Sequence, residues 1–219
     1  MSGKPTAVPF ITARAGEDPS CVRIVALSAG CGIGYQDERP KDRDERGVLW
    51  GRVPQLPVGR PRWKDVHPQR QRICMERLLC QVCTRPADHN HQGWLFLRGS
   101  FENTVSEGVL TAQPPLCLAH ALLSAEQCRY LADGFQAMRV QHPLLFGVLG
   151  TSYILDRFAE PLALPPGDPV PYTHPRVPWV LASQLVRCLL GVTDVDLEQE
   201  SAHPRVGLRH PGAAEGVLS

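Results

Sequence analysis

The first quarter of the chain alternates short apolar runs with turn residues. These runs have the length and the composition of β-strands, and none of them repeats apolar side chains at helical spacing. The charged segment 37–46, with Pro40 near its centre, is predicted to be an exposed, ion-paired hairpin loop. The pattern predicts a β-rich N-terminal region over residues 1–58, with strands at residues 8–13, 21–27, 32–35 and 47–53.

Helical spacing first occurs after residue 64. Residues 65–79 begin with a capping Asp65, have a proline near the first turn and keep a partly apolar stripe, so they predict a short helix. Residues 116–139 repeat apolar side chains at steps of three and four and predict the best helix of the chain. Between these helices, residues 93–97 and 108–111 have strand composition and predict a hairpin.

The last third of the chain contains four contrasting stretches. Residues 144–155 are apolar and predict a buried strand or a pair of strands. Residues 160–178 hold seven prolines and predict an irregular connector, and residues 193–219 lack apolar periodicity and predict a disordered tail. Residues 179–192 predict a second amphipathic helix, with its apolar side formed by Leu181, Leu185, Val186, Leu189 and Leu190.

Charge and hydropathy exclude some classes of partner. The formal net charge is +1 and the pI about 7.6, so no global field draws the protein to nucleic acid or to anionic lipid. The sequence has no run of about 18 apolar residues, which a membrane-spanning helix needs. The first ten residues lack the apolar core of a secretory signal. We therefore expect a cytoplasmic protein that does not bind membranes.

Two pairs of potential metal ligands carry the strongest chemical signal. Two residues separate Cys80 from Cys83, and two separate Cys117 from His120, so a tight turn or a first helical turn can aim each pair at one ion. In a reducing compartment the eight cysteines are expected to be free or metal-bound rather than disulfide-bonded. Three thiolates and one imidazole suit Zn²⁺ and leave no position for water. The prediction is one structural zinc site.

The order of a knuckle, a hairpin and a helix over residues 78–132 resembles that of treble-clef zinc fingers. Two alternatives stay open, namely that the pairs are ordinary buried residues or that the CxxC is a redox pair. Cys128 or His89 would replace His120 as a ligand if His120 points away. The remaining cysteines are expected to be small core residues: Cys21, Cys31, Cys74 and Cys188.

Residues 80–91 also resemble the opening of HNH nucleases, in which a zinc knuckle precedes an Asp-His pair on a hairpin strand. The resemblance implies that His89 is a general base that activates water and that Asp88 orients it or binds a second metal. The segment around Cys117 is apolar, however, and lacks the further polar residues of that family. The alternative is that residues 88–91 form a polar turn.

A basic stretch precedes the first cysteine pair and offers a local site for DNA. Its side chains could contact phosphates from one helix face, or they could be a solvated face whose stems cover apolar surface. The candidates are Arg60, Arg62, Lys64, Arg70, Arg72 and Arg77. The sequence has no P-loop, GxSxG or HExxH signature, and a reactive Cys31 on its glycine-rich loop is a further enzyme hypothesis.

Several segments in combination resemble a group of uncharacterised actinobacterial proteins, over most of residues 8–190. Members of that group have a second CxxC where this chain has Cys117 and His120. The excess of arginine over lysine, 20 against 3, is typical of the same high-GC origin. The resemblance implies a fold but no activity. The segments that carry it are residues 47–50, 85–88, 114–117 and 179–185.

The sequence therefore predicts an α+β fold with an N-terminal antiparallel sheet, a treble-clef-like zinc module and a C-terminal helix that packs on the core. The expected function is that of a non-enzymatic, zinc-stabilised interaction or regulatory protein whose partner is DNA or another protein. The alternatives are an HNH-like nuclease and an accessory protein or enzyme of specialised metabolism. The predicted regions are residues 1–58, 59–158, 159–192 and 193–219.

Overall fold

Two long β-strands organise the fold, with shorter strands and three α-helices around them. The computed structural model describes residues 6–99 and 108–202. None of the helices in these residues is long and apolar enough to span a membrane. The helices are α1 (Pro68–Arg77), α2 (Leu118–Gln127) and α3 (Leu197–Ala202). The strands are β1 (Thr12–Arg14), β2 (Ile24–Ala26), β3 (Ile33–Tyr35), β4 (Leu49–Trp50), β5 (Pro61–Val66), β6 (His89–Asn90), β7 (Gly93–Gly99), β8 (Val109–Thr111), β9 (Phe135–Leu155), β10 (Pro161–Ala163), β11 (Val170–Pro171) and β12 (Val180–Val195).

The long strands β9 and β12 form the centre of an eight-stranded sheet. They are antiparallel and stay paired from Val180 opposite Ser152 to Val195 opposite Ala137. The other edge of β9 pairs with β7, β11 and β10, and the other edge of β12 pairs with β4 and β8. Two small sheets, β1 with β5 and β2 with β3, lie outside this sheet. The predicted α+β class is confirmed.

The helix predicted at residues 179–192 is wrong, because these residues form most of β12. Two register shifts, between Ala182 and Gln184 and between Val186 and Arg187, interrupt the alternation of the strand. As a result the buried residues of β12 are not spaced regularly by two, but lie at positions 180, 182, 185, 186, 187 and 189. Such a mixture of spacings resembles the apolar periodicity of a helix. Backbone pairing along both edges favours a strand over a helix for these residues. The C-terminal helix that the structure does contain, α3, follows β12 and has only six residues.

The helix predicted at residues 116–139 is confirmed only in its first half. α2 ends at Gln127, Cys128 is extended, and Gly134 adopts a φ of 116° in the turn that leads to β9. From Phe135 onward the chain pairs with β7, and from Ala137 onward it also pairs with β12. Backbone pairing on two edges therefore replaces the helical hydrogen bonds that the apolar spacing predicted.

Other expectations about the connections are also corrected. The segments 93–97 and 108–111 do not form a hairpin, because β7 pairs with β6 and β9 whereas β8 pairs with β12. The connector 160–178 contains β10 and β11, both paired with β9. Residues 193–202 end β12 and form α3 instead of a disordered tail, and residues 203–219 lie outside the described residues.

The charged segment 37–46 is not a uniformly exposed loop, because two of its carboxylates are buried. Asp42 accepts a hydrogen bond of 2.8 Å from Nε of Arg52. Asp44 accepts hydrogen bonds of 3.0 Å from the indole N–H of Trp50 and from the backbone N–H of Val48. The segment is therefore tied into the core by hydrogen-bonded carboxylates, as buried polar groups require.

The predicted short helix is confirmed as α1, which packs on β12 and is fixed there by two buried polar side chains. The amide of Gln71 donates to the Leu185 carbonyl and accepts from the Leu185 N–H, both at 2.9 Å. Arg187 donates from β12 to the carbonyls of Met75 and Glu76 in the last turn of α1. These bonds fix the end of α1, from which the chain leads directly to Cys80.

Candidate metal centre

The first ligand pair lies in a tight reversal of the chain after α1. Leu78 and Thr84 both have left-handed backbone conformations, with φ values of 51° and 61°. Between them the Cys80 N–H donates to the Arg85 carbonyl at 2.8 Å, and the Thr84 N–H donates to the Cys80 carbonyl at 2.9 Å. This closed turn places the side chains of Cys80 and Cys83 on the same side.

The second ligand pair lies in the first turn of α2. Cys117 is the N-cap residue, and its carbonyl accepts hydrogen bonds from the N–H groups of His120 and Ala121 at 3.0 Å and 2.9 Å. Residues three apart in a first helical turn project to the same side. The helix start therefore directs Cys117 and His120 toward one point.

Backbone hydrogen bonds hold the two ligand-bearing segments together. The Gln81 N–H donates to the Pro115 carbonyl at 3.1 Å, and the Asp88 N–H donates to the Leu116 carbonyl at 2.9 Å. The Leu116 N–H in turn donates to the Leu95 carbonyl of β7 at 3.0 Å. The segment before α2 is thus fixed between the knuckle and the sheet.

The four predicted side chains form one cluster whose donor atoms all lie within 4.8 Å of one another. Nδ1 of His120 lies 3.0 Å from Sγ of Cys117 and 3.8 Å from Sγ of Cys80, and Sγ of Cys83 lies 4.0 Å from Sγ of Cys117. In a tetrahedral zinc site with ordinary bond lengths, neighbouring donors are about 3.5–3.8 Å apart. The four donors are therefore close enough to hold one metal ion, and three thiols with one imidazole are a donor set consistent with zinc.

Electrostatics distinguish the two better-exposed thiols. Burial raises the pKa of Cys83, but hydrogen bonds, first those from the backbone N–H and the guanidinium of Arg85, outweigh it and lower the pKa below its ordinary value. Burial raises the pKa of Cys117 to about 11, although a hydrogen bond from the His120 N–H lowers it. A cation that binds at neutral pH must therefore displace the proton of Cys117.

The proposed replacement ligands are not in this cluster. Among the described residues, the group of donors around Cys80 contains neither Cys128 nor His89. Cys128 directly follows α2 as its C-cap residue, and the ring of His89 lies against Trp94 with 4.3 Å between the ring centroids. The expectation for the other cysteines is corrected in part: Cys74 is buried and Cys188 half-buried, but Cys21 and Cys31 are exposed.

The Asp88-His89 pair, singled out by the resemblance to HNH nucleases, is split between two environments. The carboxylate of Asp88 lies 2.7 Å from the guanidinium of Arg139, whose side chain is fully buried. His89 is exposed on β6, opposite Trp94 in the hairpin that β6 forms with β7. Because Asp88 pairs with Arg139, its carboxylate is engaged by an internal cation rather than presented to a second metal ion.

The basic stretch 60–77 does not form one helix face. It is divided between β5 and α1, and Arg70 is buried against the carboxylate of Glu17 and the carbonyls of Phe10 and Thr12. Arg70 is therefore removed from the candidate phosphate contacts. Of the other five, Arg62 pairs with Asp18 and Arg72 with Glu76, while Arg60, Lys64 and Arg77 are exposed.

Sequence reasoning missed three charged residues, namely Arg85, which hydrogen-bonds to the Cys83 thiol, and Arg139 and Glu200, which form an ion cluster with Asp88. A signal was present for Arg139, because it is a single charge within the apolar segment 137–140, and a buried charge requires partners. No such signal exists for Arg85 and Glu200, which lie in polar segments. Relatives give no further guide to these residues, since no protein-family model, curated protein or solved structure matches the chain.

Proposed function

We propose that Cys80, Cys83, Cys117 and His120 hold one structural zinc ion and that the protein is a zinc-stabilised binding protein without catalytic activity. The single observation that carries this proposal is the convergence of four donor atoms within 4.8 Å. Four protein ligands complete a tetrahedral site, so no position is left for a substrate or an activated water. Such a site stabilises a fold and does not perform a reaction.

The surrounding elements support a treble-clef type of zinc module. The knuckle with Cys80 and Cys83 is followed by the hairpin of β6 and β7, and then by α2, whose first turn carries the second pair. In such a module the ion links a turn to a helix start and adds to the backbone hydrogen bonds between them. The metal then fixes the surface that these elements present.

The partner that we propose is a protein in the cytoplasm. A reducing compartment keeps the three thiols available to the metal. DNA is the less favoured partner, because Arg70 is buried and Arg62 and Arg72 pair with carboxylates of the same chain. Only Arg60, Lys64 and Arg77 of the basic stretch are exposed, which is too few for strong phosphate binding without further contacts.

Elemental analysis of the purified protein tests the zinc site. We expect one zinc per chain in the wild type and in Cys128→Ser, which removes a half-buried thiol outside the cluster. We expect much less zinc in Cys83→Ser, because a thiolate ligand is lost. Absence of zinc from the wild type, or a full equivalent in Cys83→Ser, would overturn the assignment.

Incubation with duplex DNA tests the absence of catalysis and the choice of partner. We expect no cleavage in Mg²⁺ or Mn²⁺ and no binding that weakens steeply with salt. Cleavage that His89→Ala abolishes would establish the nuclease alternative instead. Strong salt-dependent binding without cleavage would replace the protein partner by DNA and would leave the zinc site unaffected.

A further inference from the structure

A fully buried guanidinium lies between the metal centre and the C-terminal helix. The side chain of Arg139, on β9, lies 2.7 Å from the Asp88 carboxylate and contacts both carboxylate oxygens of Glu200. It also donates to the Gly93 carbonyl at 3.2 Å. One buried cation thus joins three segments: the link after the knuckle, the start of β7, and α3.

Asp88 connects this cation to the metal ligands. It lies five residues after Cys83, and its backbone N–H donates to the carbonyl of Leu116, the residue before Cys117. Its carbonyl accepts a 2.9 Å hydrogen bond from the Leu95 N–H of β7. Asp88 is therefore the point at which both ligand-bearing segments and the sheet meet.

Glu200 connects the same cation to α3. This helix has only six residues, too few to be stable by itself, so it depends on what holds it in place. Two contacts do so: the carboxylate of Glu200 on Arg139, and the buried side chain of Leu197, which packs in the same apolar cluster as Cys80, Leu116 and Ala121. Both contacts are made to the part of the fold that carries the metal ligands.

We infer that Asp88, Arg139 and Glu200 couple metal binding to the docking of α3, an inference that rests on the proposed zinc site. A bound metal fixes the segments that position Asp88, and Asp88 orients the guanidinium that receives Glu200. Loss of the metal frees Asp88, so Arg139 loses a fixed partner and α3 is released. These three are positioning residues for the metal centre, and α3 reports whether the metal is bound.

The coupling must be reciprocal. If metal binding raises the equilibrium constant for docking of α3 by some factor, docking of α3 raises the affinity for the metal by the same factor. Weakening the contact between Glu200 and Arg139 should therefore weaken metal binding, although Glu200 does not touch the metal ligands. Partners that hydrogen-bond a metal ligand directly typically change metal affinity by about 10–100-fold. Glu200 acts through Arg139 and Asp88, so we expect a change at the lower end of that range.

Zinc affinity, measured by competition with a chromophoric chelator, tests this with a matched pair of variants. Glu200→Gln removes the charge that pairs with Arg139, whereas Glu198→Gln removes an exposed charge from the same helix. We expect zinc affinity to fall about tenfold in Glu200→Gln and by less than about twofold in Glu198→Gln. Equal affinities in both variants would overturn the coupling and leave the zinc site intact.

Hydrogen exchange on the wild-type protein tests the other direction and needs no variant. Removal of zinc by a chelator should raise amide exchange in α3, whereas the amides of Leu181 and Ala182, in the centre of the sheet, should stay protected. Unchanged exchange in α3, or an equal rise in the centre of the sheet, would overturn the inference. A wild type that binds no zinc would overturn the proposed function as well.

Discussion

Helices α1 and α2 both pack against the main sheet, but they are held there in different ways. At the α1 end, formed by α1 and residues 180–189 of β12, Gln71 and Arg187 exchange hydrogen bonds with backbone groups. At the metal end, formed by residues 80–99, residues 115–127, Arg139 and α3, the four candidate ligand side chains converge and a buried ion cluster joins the parts. We therefore expect stability at the metal end to depend on a bound metal and stability at the α1 end to be independent of it.

The buried arginines show the same contrast. Arg139, at the metal end, lies between two carboxylates, Asp88 and Glu200. Arg187, at the α1 end, donates only to carbonyls among the contacts in the described residues, and burial lowers its pKa to about 10. A charge neutralised by carboxylates depends on the elements that carry them, so Arg139 links the segment of Asp88 to α3, whereas Arg187 caps the last turn of α1.

Metal removal should have the largest effect. A chelator should cost the protein several kcal/mol of stability, because binding energy at a structural zinc site is folding energy. For a chain of this size, about 4 kcal/mol corresponds to a fall in Tm of roughly 10 °C. Thermal unfolding followed by circular dichroism checks this, and a Tm that the chelator does not change would contradict it.

The second effect is that of Gln71→Met, which should cost about 2–4 kcal/mol because it leaves the buried N–H and carbonyl of Leu185 without their partner. Gln69→Met is the control, because the buried side-chain oxygen of Gln69 accepts no hydrogen bond from the residues that the structure describes, and it should change stability by less than about 0.5 kcal/mol. Urea unfolding measures both.

The cost of Gln71→Met should be the same with and without zinc, because distant sites contribute additively. Both variants are therefore to be unfolded in the presence and in the absence of a chelator. A cost that depends on the metal would show that the α1 end and the metal end are energetically coupled in the folded protein, and the contrast between them would be lost.

The pH dependence of zinc affinity is the third effect. Lower pH favours protonated thiols, and the raised pKa of Cys117 means that metal binding displaces its proton throughout the neutral range. Affinity should therefore fall by about tenfold for each pH unit and each displaced proton as the pH decreases from 8 to 6. Competition titrations at three pH values measure the slope, and a flat profile would exclude Cys117 as a thiolate ligand.

The smallest effect is expected at the α1 end in weak acid. Burial lowers the pKa of His67, the N-cap residue of α1, below its ordinary value of 6.5. As the pH falls below 6.5, the unfolded chain takes up this proton before the folded protein does, so stability decreases. His67→Gln should flatten the decrease between pH 6.5 and 5 in urea unfolding of the zinc-free protein. An equal slope in both proteins would rule out His67.

The candidate site could be predicted from the sequence because its geometry is local. Two residues between ligands are enough to aim each pair, whether the turn is a knuckle or a helix start. The strand at residues 93–97 and the start of the helix that carries the second pair could also be located, but the hairpin predicted from residues 93–97 and 108–111 was wrong. The ion cluster of Arg139 could not be predicted, because its carboxylates come from positions 88 and 200, which only the fold brings together.

The centre of the fold could not be predicted for a different reason. Bulges in β12 produce apolar steps of two, three and one, and a helix can present the same set on one side. Helix α2 and the start of β9 likewise form one continuous apolar pattern, which predicts a single helix over residues 116–139. What separates them is the hydrogen-bonding partner of each backbone group, and a local pattern contains no information about that partner.

The sequence by itself determined which four residues form the candidate metal cluster, the α+β class and the helix that leads to Cys80, because each depends on spacing within a few residues. Only the tertiary structure decided that β9 and β12 form the centre of the sheet, that Arg70 is buried, and that Glu200 reaches Arg139. Those outcomes depend on pairing between distant segments, where the energy of burial and of backbone hydrogen bonds exceeds any local preference.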